Sequence, residues 1–155
     1  MTQKVSEKVV ARAKAVPILK KLPIFDGLME DELLKVLSMC SSAVTEEGEV
    51  LFNQGDDGNS MYILLAGEVE IDVKGKGVVH IMKPGEILGE MALVCQITRT
   101  ASARARQRSV LLHLYADILH EVVKKNPRIG YVIMRNVANI LAQRLIGQNN
   151  AQPGK

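Results

Sequence analysis

At 155 residues the chain fits one domain with a real core rather than several domains. Its 47% hydrophobic content without a single Trp calls for a core of Val, Ile, Leu, Met and Ala, and its net charge of +3 is too mild to mark a nucleic-acid binder. Two cysteines, Cys40 and Cys95, without metal-site spacing, no apolar leader and no stretch near the ~20 apolar residues of a membrane span point to a reducing, cytoplasmic setting.

In chain order, Lys4 to Lys21 predicts a helix, with Val5, Val9, Ala13 and Val16 recurring between basic residues. Pro17 is expected to break or kink it. Val and Ala insert weakly into membranes, so packing on the protein's own domain is favoured over a membrane surface. Leu22 to Leu28 turns the chain, and Met29 to Met39 reads as a short helix with Leu33, Leu34, Val36 and Leu37 inward. From Ala43 to Leu114 short apolar runs alternate with glycine turns. Strands are predicted at 43–45, 50–53, 61–65, 68–73, 78–82, 101–105 and 110–114, a spacing that suits a sandwich or barrel. Asp56-Asp57-Gly58-Asn59 lacks the alternating ligands and distal glutamate of a calcium loop and reads as a turn. Arg104, Arg106 and Arg108 alternate on one strand face, and without interleaved aromatics they read as a charged sheet face.

The stretch from Pro84 to Ala105 carries the chemistry. Pro84-Gly85 marks a turn, Ile87-Leu88 the end of a strand, and Gly89-Glu90-Met91-Ala92-Leu93 one helical turn opened by glycine. N–H groups at such a turn suit a phosphate, Gly89 allows close approach, and Arg99 supplies a bidentate, permanently charged partner. Glu90 would repel phosphate, but it accepts a hydrogen bond from a neighbouring sugar hydroxyl. Glu90 and Arg99 together therefore describe a hydroxyl beside a phosphodiester, as in a 3',5'-cyclic nucleotide.

Gly89 through Leu93, then five residues, then Arg99-Thr100-Ala101-Ser102, resembles the phosphate-binding cassette of cyclic nucleotide-binding domains. The Pro23-Ile24-Phe25-Asp26-Gly27-Leu28 entry and the glycines at 48, 55, 67 and 85 extend the resemblance over roughly residues 22 to 147. Thr98 departs from it, standing where the family usually has proline, which loosens the loop without removing a contact atom. The resemblance implies an α+β fold: a β jelly-roll barrel (about 43–114) with flanking helices at the N-terminus and two C-terminal helices (about 115–147). It also implies a ligand site of Gly89, Glu90, Met91, Ala92, Arg99 and Thr100. In this reading Arg99 takes the cyclic phosphate, the Met91 and Ala92 N–H groups and the Thr100 hydroxyl assist, and Glu90 accepts from the ribose 2'-hydroxyl. The expected ligand is cAMP, less so cGMP, and the C-terminal helices swing to cover the base.

Beyond the barrel, Asp117 to Lys125 carries Ile118, Leu119, Val122 and Val123, and Asn126-Pro127 opens a last helix running to about Gly147. Its Ile129, Tyr131, Ile133, Met134, Val137, Ala138, Ile140, Leu141 and Leu145 cover more than half its circumference, beyond what one domain needs. That surplus points to a homodimer or a partner protein. Residues 1–21 are thus an N-terminal helical segment, 22–147 the ligand domain and 148–155 a flexible tail. His80, His113 and His120 form no metal pattern, and no nucleophile elbow, Walker loop or kinase signature appears, so neither an enzyme nor a metal site is expected. No room remains after the last helix for a helix-turn-helix, and output is expected to pass through association.

Overall fold

A computed structural model describes residues 14–151. Helical residues 14–19 (α1) lead to a 3-10 turn at Pro23–Phe25 and to α2 at Glu30–Met39. Ten strands follow, ending with β8 at Ile97–Thr98, β9 at Ser102–Ala105 and β10 at Ser109–Tyr115. The first seven are β1 Ser41–Thr45, β2 Val50–Phe52, β3 Asp57–Gly58, β4 Ser60–Ala66, β5 Val69–Val73, β6 Gly77–Met82 and β7 Ile87–Leu88. A 3-10 turn, Glu90–Leu93, separates β7 from β8, and α3 (Ala116–Lys125) and α4 (Pro127–Ala151) close the chain.

The strands form antiparallel sheets in the orders β1-β10-β4-β7 and β2-β9-β5-β6, with β3 and β8 as a small third ladder. This is the expected jelly-roll barrel with helices at either end of the chain. Glycines 48, 55, 67 and 85 all have positive φ at the turns between strands.

Period-two alternation in β4 and β10 makes one sheet serve two cores. Met61, Ile63, Leu112 and Leu114 face the helices and pack with Leu19, Phe25, Leu33, Val36, Ile129, Ile133 and Val137. Leu64 and Leu111 face the barrel interior, where they meet Phe52, Val69, Ile71, Met82 and Ala103. A fully buried side chain of this size contributes about 1.5–3 kcal/mol. The helices are therefore held by the same sheet that walls the barrel.

Several local expectations are corrected. Leu34 is exposed at 49%, because the 3.6-residue period turns it away from the face that buries Leu33, Val36 and Leu37. Asp57-Gly58, read as part of a turn, is strand β3, paired with Thr98 and Ile97; two residues carry no periodicity, and only their tertiary partner defines them. Pro17 lies within helical residues 14–19, while residues 1–13 of the expected helix lie outside the described residues. Helix α4 runs four residues past Gly147 to Ala151, since one glycine costs a helix only ~1 kcal/mol and no proline follows until 153. Expected tail residues 148–151 are thus helical; 152–155 lie outside the description.

On α4 the buried stripe is Ile129, Val132, Ile133, Asn136 and Val137. Asn136 Nδ2 donates to the carbonyls of Ile24 at 3.0 Å and Asp26 at 2.8 Å, fastening the helix to the entry turn. Met134, Ile140 and Leu141 pack partly on the core, whereas Tyr131 and Leu145 stay largely exposed. The apolar surplus read from the sequence is thus only half absorbed by this domain.

Candidate functional site

Strand β7 pairs with Tyr62 and Ile63 of β4 and ends at Gly89, whose φ of +83° lies in the left-handed region. That reversal lets Glu90–Leu93 form a single 3-10 turn, and the Ala92 N–H closes it on the Gly89 carbonyl at 3.1 Å. A Cβ at Gly89 would stand 2.3 Å from Arg99 Nη1 and 2.9 Å from the Ser60 carbonyl oxygen. Glycine here makes room for the arginine as well as for the turn.

Arg99 is held from both sides. Its N–H donates to the Asp56 carbonyl at 2.7 Å and its carbonyl accepts from the Gly55 N–H at 2.8 Å, fixing the backbone beyond β8. Its Nη2 donates to Ser60 Oγ at 3.1 Å, and Cζ lies 4.2 Å over the Phe52 ring and 5.9 Å over Tyr62. The residue is 8% exposed, its Nε has no hydrogen-bond partner, and no carboxylate among the described residues forms an ion pair with it. Burial pushes the guanidinium below its ordinary range, while Tyr62 and Asp56 act in the opposite direction. A buried cation braced by aromatic rings and lacking an anion has the chemistry to hold one.

Glu90 is 3% exposed and is met by Arg144, which reaches over from α4 and forms an ion pair with its Oε1. Together these elements line a cavity of about 140 Å³. All six residues singled out in the sequence, Gly89, Glu90, Met91, Ala92, Arg99 and Thr100, are in its wall. Phe52 and Arg144 are there too, and sequence reasoning missed both. Period two places Phe52 inward, which was a usable signal. Arg144 had none, being separated from Glu90 by 54 positions.

From the buried Phe52 the contact continues into a stack of half-buried rings. Tyr62 lies 5.9 Å from Phe52, His113 lies 4.2 Å from Tyr62 at an interplanar angle of 12°, and Tyr115 lies 4.1 Å from His113. His113 Nε2 is buried without a partner; burial first, and then the Arg99 charge, hold the imidazole below its ordinary pKa and favour the neutral ring. His80 instead meets Glu86 at 2.8 Å on the surface. Among the described residues no group of three His, Cys, Asp or Glu is placed to hold a metal ion, and no helix is long and apolar enough to cross a membrane.

Fold and cavity together define a jelly-roll domain of the α+β class with a buried arginine, free of any ion pair among the described residues, in the barrel wall. The chain belongs to the cyclic nucleotide-binding domain family, whose model matches residues 44–126. It is 30% identical over 131 residues to a cyclic AMP receptor protein of Thermus thermophilus, covering 82% of this chain and 59% of that one. It is 33% identical over 91 residues to a cAMP-dependent protein kinase regulatory subunit of Schizosaccharomyces pombe, covering 59% of this chain and 22% of the relative. The chain thus spans less than two thirds of the length of these relatives. Among solved structures it resembles the regulatory domain of Toxoplasma gondii PKA crystallised with cAMP, at 28% identity and a TM-score of 0.65, over 74% of this chain and 45% of that one.

Proposed function

We propose that this chain is a cytoplasmic, stand-alone cyclic nucleotide sensor that binds cAMP, with cGMP the less favoured ligand. Arg99 takes the cyclic phosphate, Glu90 accepts from the ribose 2'-hydroxyl, and Gly89 leaves room for both. The Met91 and Ala92 N–H groups and the Thr100 hydroxyl assist, Ala92 sharing the N–H that closes its own turn on Gly89. The observation that carries this reading is the buried Arg99, braced on Phe52 and without an ion-pair partner among the described residues. The Thermus receptor and the Toxoplasma domain with cAMP support the choice of base.

The protein receives its ligand without converting it and needs no cofactor or metal. Binding shifts the populations of the C-terminal helices in proportion to the ligand's preference for one arrangement. Output passes through α4, where the exposed Tyr131 and Leu145 offer an apolar face to a second copy or a partner protein. The same face favours a second reading, an interaction module that presents α4 and leaves its cradle unused.

A thermal-melting panel with cAMP, cGMP, a cyclic dinucleotide and AMP separates the two. At about 100 times its dissociation constant a true ligand stabilises the fold by ~2.7 kcal/mol. The sensor reading predicts the largest shift with cAMP and none with AMP. No shift with any cyclic nucleotide leaves only the interaction module.

A further inference from the structure

His113 is a half-buried titratable group outside the cavity wall, yet it stands close behind the cradle. Alternation along β10 turns Leu112 and Leu114 to the helices and leaves Leu111 and His113 on the barrel side. There the imidazole lies between two tyrosines, stacked on Tyr62 at 4.2 Å and tilted against Tyr115 at 4.1 Å. Arg99 Cζ in turn lies 5.9 Å from the centre of the Tyr62 ring, so His113 is one ring removed from the cation of the cradle. Among the described residues, the buried side-chain polar atoms without a hydrogen-bond partner are Arg99 Nε and His113 Nε2. Both belong to this one cluster.

The titratable groups facing the ring are Tyr62 from β4, Tyr115 from β10 itself and Arg99 from beyond β8. Strand β1 sets Ser41 opposite His113 in register, and the facing sheet contributes the apolar Phe52, Val69, Ile71, Met82 and Ala103. Burial pushes the Tyr62 phenol up, further from ionising, and Asp56 acts on Arg99. Arg99 is therefore the full charge that bears on the imidazole.

With the cradle empty, burial and then the Arg99 charge oppose a proton on His113. A phosphodiester on Arg99 cancels the second of these, while the faces of Tyr62 and Tyr115 remain to attract an imidazolium. Anion and proton then favour one another, and by linkage each strengthens the binding of the other by the same factor. We propose that His113 couples the cradle to pH: the nucleotide binds with uptake of a proton from solvent onto the imidazole, and cAMP binds more tightly as pH falls below neutrality. This rests on the reading of the cavity as a cyclic nucleotide site. His113 acts through Arg99 and needs no contact with the ligand.

The test counts protons as well as affinity. Calorimetry of cAMP binding near pH 6, in two buffers of unlike ionisation enthalpy, is run on wild type, His113→Phe and His120→Gln. Wild type is expected to take up a fraction of a proton and His113→Phe, which keeps a ring in the stack, none. His120→Gln, altering an exposed histidine of α3, should match wild type. The wild-type dissociation constant should fall roughly threefold between about pH 7.5 and about pH 5.5, since each unit by which the nucleotide raises the imidazole pKa is worth about tenfold in affinity. The phosphodiester and the adenine ring keep their charge over that range, and the constant of His113→Phe should stay level. A pH-independent constant in wild type, or an equal uptake by His113→Phe, overturns the proposal and leaves the sensor reading standing.

A second measurement needs no variant. Followed by NMR on wild type, the His113 ring protons should titrate at a higher pH with cAMP bound than without it. An equal or lower midpoint in the complex also overturns the coupling. Failure of wild type to bind any cyclic nucleotide at any pH in the range overturns the sensor reading and the proton coupling with it.

Discussion

The guanidinium carbon of Arg99 lies 4.2 Å above the centre of the Phe52 ring, in a barrel wall where no carboxylate among the described residues pairs with it. The ring supplies the attraction that a carboxylate would otherwise supply, and it leaves the ion-pairing edge of the guanidinium available. Such a contact is worth about 0.5–2 kcal/mol, less than the several kcal/mol that desolvating a cation costs, so Arg99 is kept in the wall at a net expense of stability.

Replacement of Arg99 by Met should therefore separate binding from folding. The variant is expected to melt at or above the wild-type temperature, because the relieved burial outweighs the lost ring contact. Its melting point should no longer respond to cAMP. A fall in stability above about 3 kcal/mol in urea unfolding would instead mark Arg99 as structural.

Gly89→Ala carries two penalties. The left-handed φ of +83° costs a non-glycine residue about 1–2 kcal/mol, and the new Cβ, 2.3 Å from Arg99 Nη1, pushes the guanidinium aside. Gly85→Ala has a similar φ of +92° but meets nothing within 4 Å. Gly89→Ala should lose more stability in urea than Gly85→Ala, since its Cβ also meets the Ser60 carbonyl oxygen at 2.9 Å, and only Gly89→Ala should lose nucleotide affinity by titration.

Asn136→Ala tests how α4 is fastened. The substitution leaves the Ile24 and Asp26 carbonyls without their donor at a site 5% exposed, so about 1–3 kcal/mol of stability should disappear in chemical denaturation. Asn136→Asp cannot donate and should not restore it.

Two groups lend stability that acid removes, in different windows. Glu32 is held below its ordinary 4.5, first by the hydrogen bond from Arg128 and then by the Met29 N–H. Its contribution is complete above pH 4.5 and is lost as pH falls through the lower folded value. The melting-point difference between wild type and Glu32→Gln should shrink only below pH 4.5.

Half-buried His113, lowered from 6.5 first by burial and then by the Arg99 charge, acts earlier. Its contribution is full above pH 6.5 and declines as pH falls from there toward the folded value. Wild type should lose melting temperature relative to His113→Phe starting just below pH 6.5. A parallel pH profile for the two proteins between 4.5 and 6.5 would show that His113 does not titrate there.

The turns, the principal strands and the helical faces were legible because they are local. Positive-φ glycines mark reversals, an unbroken apolar run marks Met61 to Leu65 as a strand covered on both faces, and Pro127 opens a helix. Gly89 to Thr100 was legible for the same reason: a glycine, an acid and an arginine at short spacing on one turn and its return. Leu34 was misassigned because residues one apart on a helix differ by ~100° in direction, and two-residue β3 and β8 carry no pattern of their own.

By itself, then, the sequence determined a run of glycine-punctuated strands that suits a sandwich or barrel and, within it, a glycine-opened turn chemically suited to an anion, since both follow from backbone conformation and short-range spacing. Only the tertiary structure decided what surrounds that turn. Phe52 comes to lie under Arg99, and Arg144 on Glu90, because strands and helices far apart in the chain bury their apolar faces against one shared sheet. Burial then strengthens each charge interaction by excluding water, an effect that no spacing along the chain encodes.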